Sequence, residues 1–346
     1  MSAWPGWGPG AEDGPVITSF DVARLAGVSQ PTVSRALRDS DKVSEVTKAR
    51  VRKAAADLGY APNAIGRALS LGHSTRVGLV VTDLHNHFYG HVIPHLHTEL
   101  SQHGYDLLLI TEASETAPVA EHIMANGLAG VILTTTTVDS ALPAQLRARD
   151  IPFVYFNRTA RTVESSSVTV DPEAGLSALV DEVVSLGHRH IGAVFGPRTT
   201  STGETRETVI HRLLDAHDLH LNGQDVGYGP FDFDTGFNAC LEILDQDDPP
   251  TVIICSNDVV ALGAMNAAAQ RGLQVPDFVS IVGFDDLPTS RWPLVQLTTV
   301  AYDLAEMSRQ AGRLVIDLVR SPEARFVHVV LPSSLVRRRT LGEPRR

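Results

Sequence analysis

Residues 18–37 read TSFDVARLAGVSQPTVSRAL, and this stretch predicts two short helices joined by a tight turn. Thr18 can cap the first helix through its hydroxyl. Val22, Ala23, Leu25 and Ala26 supply a small apolar face, and Gly27 permits the left-handed residue that ends the helix. Val28 tucks beneath, Ser29 is the next cap, and Gln30-Pro31 open the second helix. Proline is tolerated there because a first-turn N–H has no intrahelical partner. With Val33, Ala36 and Leu37 buried, Gln30, Thr32, Ser34, Arg35 and Arg38 face outward. A helix-turn-helix lays that outward face in the major groove of DNA. Arg35 could pair bidentately with guanine, and Gln30 with a base edge. Ser44 caps a third helix, 45–58, whose Lys48, Arg50, Arg52 and Lys53 include candidates for phosphate contacts. A charged third helix is also what an ordinary solvated face looks like.

Charge is distributed unevenly around this head. The 346-residue chain carries a formal net charge of -11, yet residues 18–76 hold 10 Lys/Arg against 5 Asp/Glu. Residues 77–346 hold 33 acidic against 19 basic residues. A basic head on an acidic body confines nucleic-acid affinity to the head. Two cysteines, Cys240 and Cys255, are too few for a disulfide scaffold and read as small core residues. No apolar run is long enough to span a bilayer and no secretory signal is visible, so a cytoplasmic protein is expected. Residues 1–17, with MSAWPGWGPGAEDGPV, read as a Gly/Pro-rich disordered tail.

Residues 60–69 read YAPNAIGRAL. Asn63 can cap a short helix here, but its apolar face is too small for it to fold alone. Such a helix needs a copy of itself or DNA to lie on. At this point residues 18–75 resemble the headpiece and hinge of the lactose-repressor (LacI/GalR) family of bacterial regulators, through DVARLAGVS, TVSRAL, RVRKAAADLGYAPN and GRAL. The resemblance implies two hinge helices paired across an operator, with Leu69 wedged into the minor groove to bend the duplex. It assigns DNA contact to Thr18, Ser29, Gln30, Pro31, Thr32, Ser34, Arg35, Asn63, Arg67 and Leu69. Pro31 cannot donate a side-chain hydrogen bond, so one base contact of the family is expected to be absent or apolar.

From Arg76 onward, apolar runs alternate with helical stretches. RVGLVVTDL, YDLLLITE, GVILTTTT and PFVYFNRT form one series, and HIGAVFGP, DVGYGPF, TVIICSND and VSIVGFDD a second. Continuous Val/Ile/Leu runs between helices predict parallel sheets buried on both faces, hence two α/β lobes. Such sheets bind ligands at the carboxyl ends of their strands. Those ends carry Asp83, Thr134, Asn157-Arg158, Asn257-Asp258 and Asp285-Asp286, with Arg206 arriving from the helix after HIGAVFGP. The expected fold class is α plus α/β: a helical head, 18–62; a hinge helix and linker, 63–75; and a two-lobed body, 76–340, before a tail, 341–346. The N-lobe would hold 76–170 and 304–327, the C-lobe 171–300 and 328–340.

The body also resembles the family, through SNDVVALGAMNAA, VSIVGFDDLP and LTTVAYDLAEM, which implies an effector domain of periplasmic sugar-binding-protein fold. By position the resemblance assigns effector contact to Asn86, Phe88, Tyr89, Thr134, Asn157, Arg206, Phe231, Asn257 and Asp285, and Arg158 stands beside them. Arg, Asn and Asp suit a hydroxyl-rich ligand, while Phe or Tyr covers an apolar face. Phe88, Tyr89 and Phe231 also fit ordinary core packing. The sequence departs from the family where Arg206 is followed by Glu207-Thr208-Val209-Ile210 rather than a Gly-aromatic pair, and where Tyr302 replaces a smaller polar residue.

His87, His91 and His95 recur every four residues within a histidine-rich stretch, 85–103, that also holds His85, His97 and His103. Imidazoles at that spacing can share zinc; the same face also fits a dimer-facing surface or a pH-sensitive one. Pro94 and the lack of nearby cysteine weigh against the metal. No P-loop, dinucleotide fingerprint or nucleophile elbow is present, and Ser256-Asn257-Asp258 lacks the accompanying Ser-X-X-Lys of a serine acylase. The expectation is therefore a homodimeric, cytoplasmic DNA-binding transcriptional regulator, most often a repressor, and not an enzyme. Its partners would be double-stranded operator DNA and a small effector, a sugar or sugar derivative, with no cofactor and no membrane. A transport component would need an export signal and no basic head.

Overall fold

The computed structural model describes residues 17–37, 39–60, 74–82, 84, 86–111 and 119–345. It divides into two units, Met1–His73 and Ser74–Arg346. In the first, α1 (Ser19–Ala26), α2 (Gln30–Leu37) and α3 (Glu45–Asp57) pack pairwise around a core of small side chains. Val22, Ala23, Ala26, Val33, Ala36, Val43, Val51, Ala54 and Ala55 are all buried there. Alanines and valines let three short helices approach closely with few atoms to bury. Gly27 sits at φ 63 with open space around it, so the left-handed turn, not crowding, selects glycine. The expected apolar face needs one correction: Leu25 is exposed, because Val22, Ala23 and Ala26 already form the inward stripe. Thr18 is the N-cap, as expected, and forms a capping box with Asp21. Its hydroxyl donates to Asp21 Oδ2 at 2.7 Å, and the same carboxylate takes the Thr18 amide at 3.0 Å.

The second unit contains two six-stranded sheets. The first comprises β1 (Arg76–Val81), β2 (Asp106–Thr111), β3 (Gly130–Leu133), β4 (Phe153–Phe156), β5 (Ser167–Val170) and β11 (His328–Leu331), in the order β11-β5-β4-β3-β1-β2. All its pairings are parallel. The second comprises β6 (Ile191–Phe195), β7 (Val226–Tyr228), β8 (Val252–Cys255), β9 (Ser280–Asp285), β10 (Thr298–Ala301) and β12 (Ser334–Val336), in the order β12-β10-β9-β8-β6-β7, with only β12 antiparallel. Both central strands β3 and β8 are buried along their whole length, as unbroken apolar runs require.

Helices α4 (His87–Gln102), α5 (Val119–Ala125), α6 (Leu142–Arg147) and α11 (Leu304–Arg320) belong to the first lobe; α11 packs on α4, β3 and β4. Helices α7 (Glu173–Ser185), α8 (Ser201–Asp215), α9 (Phe233–Leu244) and α10 (Asp258–Gln270) belong to the second. The chain crosses between lobes after β5, after β10 and after β11. The third crossing lies beyond Leu331, not before His328 as expected, because β11 pairs with β5 from His328↔Ser167 to Leu331↔Val170. The C-terminal residues are not a loose tail either: Leu341 is buried, Gly342 donates to Ser280 Oγ, and Arg345 donates to the carbonyls of Pro249, Pro250 and Phe278. Among the described residues no helix is long and apolar enough to cross a membrane.

Candidate functional site

On the head, the outward face of α2 carries Pro31 and Arg35 exposed and Thr32 and Ser34 half-buried. Two expected readers are also used locally. Gln30 Nε2 donates to Ser19 Oγ at 3.3 Å, bracing α2 on α1, and Ser29 and Thr32 share a hydrogen bond of 2.8 Å. On α3, Ser44 Oγ accepts from the Thr47 amide. Lys48 is 4% exposed and turns inward to Asp39 (3.1 Å) and Glu45 (2.7 Å), and Arg52 joins Asp39 at 2.7 Å. These two cations lock the α2–α3 turn, while Arg50 and Lys53 remain exposed. Arg38, Asn63, Arg67 and Leu69 lie outside the described residues, as do Asp83 and His85.

On the body, the expected effector residues divide into three sets. The first is core. Phe88 and Tyr89 are buried among the first lobe's apolar side chains, with Phe88 5.7 Å from Tyr89 and 6.3 Å from Phe156. Thr134 donates to the Val80 carbonyl at 2.6 Å and stands 3.3 Å from the Tyr89 hydroxyl.

The second set bridges the lobes. Asn86 caps α4 by accepting from the Phe88 amide, and its Nδ2 donates 2.9 Å to the Phe231 carbonyl of the opposite lobe. The Arg158 guanidinium lies 5.0 Å from the Phe231 ring centre. That ring lies over Gly196, the residue after β6, where a Cβ would meet it at 2.2 Å, so only glycine admits it. Beside these, Arg161 pairs with Glu204, Thr159 N–H donates to Ser201 Oγ at 2.9 Å, and Val138 N–H donates to Thr199 O at 2.8 Å.

The third set surrounds Arg206, which is 5% exposed on α8. Its guanidinium stacks 3.7 Å from the Phe284 ring centre, donates to the Ser256 carbonyl at 2.6 Å, and reaches Asp285 Oδ1 at 3.4 Å. The Tyr302 hydroxyl donates to that same oxygen at 3.1 Å. Burial pushes the Asp285 carboxyl up to about 7 against the pull of Arg206, and nearby Asp258 raises it further. Asn257 caps α10 through the Val260 amide at 2.8 Å. Asp258 is fully buried and accepts from Leu287 N–H, Ser290 Oγ and Thr299 Oγ1, which makes it a brace between strands. Burial raises its carboxyl as well. Asn157 at φ 64 and Asp285 at φ 126 hold backbone conformations that L residues rarely adopt, a strain that tends to collect at functional sites.

A cavity of about 280 Å³ opens beside this cluster. Of the expected residues, Asn157 and Arg206 line it; Ser201, Thr202, Thr205, Phe284 and His328 line it too and were not foreseen. One signal was available: Thr202 and Arg206 are spaced i, i+4 and so share a helix face. The departure after Arg206 has a packing reason. Ile210 is buried in the second lobe's core, and Glu207 faces away to Arg198 and the Tyr228 hydroxyl, with Arg198 holding its carboxyl below the usual range. On α4, burial and then His87 and His95 lower the basicity of His91. Among the described residues no group of three or more His, Cys, Asp or Glu could hold a metal ion.

Comparison with known proteins gives matches at both ends of the chain. Residues 20–63 match the profile of bacterial regulatory proteins of the lacI family, and residues 180–341 that of a periplasmic binding protein-like domain. The chain is 31% identical over 304 residues to the HTH-type transcriptional repressor CytR of Escherichia coli (strain K12), covering 87% of this chain and 89% of that one. The lac repressor dimer bound to operator and the anti-inducer ONPF superposes with a TM-score of 0.80 at 25% identity, covering 94% of this chain and 98% of that one. The complex of the transcriptional regulator CelR with cellobiose superposes with a TM-score of 0.69 at 28% identity, covering 94% and 100%.

Proposed function

The chain belongs to the lacI family of bacterial regulatory proteins, and we propose that it works as a cytoplasmic, homodimeric repressor whose grip on an operator is set by a small sugar-like effector held between the lobes. Family membership makes it a DNA-binding transcriptional regulator rather than an enzyme. The observation that carries the reading is the face of α2: Arg35 stands exposed on a helix whose buried side is fixed by α1 and α3. A dimer would set two such helices in successive major grooves of a near-palindrome. Thr18, Ser29, Gln30, Pro31, Thr32 and Ser34 would shape or flank that contact, and Asn63, Arg67 and Leu69 would belong to the hinge and its minor-groove wedge. The dimer bound to operator seen for the lac repressor supports this arrangement.

In the body, Asn157 and Arg206 would touch the effector directly. Asn257 and Asp285 would act behind the cavity wall, Asp285 by holding Arg206. Asn86, Arg158 and Phe231 would respond to lobe movement, and Phe88, Tyr89 and Thr134 would keep the first lobe rigid beneath them. The cellobiose complex of CelR supports a sugar as the class of effector. A ligand shifts the equilibrium only by its differential affinity for the two lobe arrangements. A gel-shift against duplexes from upstream of the protein's own coding sequence tests the DNA reading: a discrete complex at low salt is expected, and no binding to any operator-length duplex would contradict it. Leu69→Ala should weaken specific binding far more than non-specific binding; equal loss would remove the wedge.

A further inference from the structure

The cavity beside Arg206 has an unusual lining for a site that recognises neutral sugars. Six of its residues bear hydroxyls (Thr159, Ser167, Thr169, Ser201, Thr202 and Thr205), and none of its described lining residues is Asp or Glu. Its charged and titratable groups are Arg206 and His328. Asp285, the carboxylate expected to bind ligand hydroxyls, is 3% exposed and accepts from Tyr302 and Arg206 instead. Burial disfavours its ionised form, which weakens its offset of the guanidinium charge.

The cavity also receives the start of α8, a 15-residue helix. Thr200 takes the Gly203 amide on its side chain and the Glu204 amide on its carbonyl. The amides of Ser201 and Thr202, at the first two positions, have no carbonyl within the helix to reach. Such amides, with the positive end of the helix dipole, favour an anion. Two further atoms call for a ligand: Thr202 Oγ1 and Asn157 Oδ1 are buried and have no hydrogen-bond partner among the described residues. A threonine hydroxyl can donate to an anionic oxygen, and an amide oxygen must accept from a hydroxyl. At about 280 Å³ the cavity lies just below the range of roughly 300–1,000 Å³ for ligand sites, which suits one sugar ring rather than two.

We propose that the effector is a monosaccharide-sized, polyhydroxylated anion, a sugar phosphate or a sugar acid, whose charged group sits at the start of α8 beside Arg206 and Thr202 and whose hydroxyls meet Asn157. This rests on the cleft being the effector site. The test uses the full-length protein in a thermal-shift and calorimetric panel. Its arms are neutral pentoses and hexoses, their phosphates, the corresponding aldonic and uronic acids, and inorganic phosphate. At least one sugar anion should bind about tenfold or more tighter than its neutral parent, as charge-assisted hydrogen bonds predict. The phosphate and acid arms tell the two sources apart. A neutral sugar binding as tightly as its anionic derivative overturns the anionic class but leaves the effector site standing. Stabilisation by inorganic phosphate equal to that by the sugar anion overturns the sugar component. No response from any member overturns both the inference and the effector reading. Thr202→Val removes a hydroxyl with no partner among the described residues, so its ligand-free melting temperature should match the parent's. It should weaken the anion about tenfold; unchanged affinity overturns the placement.

Discussion

Helices α2 and α8 each carry an arginine that we assign to binding, yet they hold it in opposite ways. Arg35 on α2 is exposed, whereas Arg206 on α8 is 5% exposed and bound to Ser256 O, Asp285 and the Phe284 ring. In the proposed complex Arg35 would lose its hydration only when DNA arrives, so its contribution would be tied to complex formation and to salt. Arg206 lost its hydration when the protein folded. A ligand there meets a guanidinium already oriented, and gains from that order without supplying it. The head is therefore a reader that costs the fold little, while the cleft is a site whose chemistry and stability are the same set of bonds.

The largest test of that contrast is Arg206→Ala. It leaves Asp285 buried without its cation and should destabilise the body by about 3–5 kcal/mol in denaturant unfolding. Loss below about 1 kcal/mol would show that Arg206 is not part of the fold's support. Arg35→Ala should do the reverse. Operator affinity should fall by about 1–3 kcal/mol with discrimination relaxed at one base pair. Unfolding of the protein should change by less than about 0.5 kcal/mol, as for other exposed positions.

A third test uses pH. The Asp285 carboxyl titrates near 7 in the folded body, above its ordinary value of 3.8. Folded protein thus binds its proton where the unfolded chain has released it, so this contribution is full below the ordinary carboxylate range and is lost as pH rises through 7. Between about pH 4 and 7 the loss is on the order of 1 kcal/mol per unit. Asp258, also raised, acts in the same direction. Asp285→Asn should flatten the fall in stability over this window relative to the parent; an identical pH profile would contradict the assignment. The smallest effect is expected at the lobe bridge. Asn86→Ala removes the α4 cap and the bond to the Phe231 carbonyl, at about 1–2 kcal/mol in thermal unfolding. No change would mean that the bridge does not contribute.

Much of this architecture was legible from apolar runs alone. β1 to β4 and β6 to β9 lie where VGLVV, LLLI, VIL, FVYF, GAVF, VGY, VIIC and SIVGF predict them. β5, β10, β11 and β12 escaped because they are three or four residues long and rich in Ser, Thr and His, so their pairing is set by neighbouring strands and not by local pattern. That gap displaced the third lobe crossing. In the head, spacing identified the α2 face but could not show that Lys48 is buried against Asp39, since a buried and a solvated lysine on a short helix read alike. In the cleft, Asn157 stood out as an amide group at a strand end and Arg206 as a charged residue on the helix after HIGAVFGP. Thr202 did not, because hydroxyl residues are common at helix starts for capping alone.

In the proposed complex a symmetric pair of α2 helices reads a specific operator. Selection of bound duplexes from a random-sequence library by the full-length protein tests it most directly. The expected result is enrichment of a near-palindrome whose half-sites each carry a guanine that Arg35→Ala no longer selects. A pool with no enriched sequence, or an enriched site without two-fold symmetry, would contradict it.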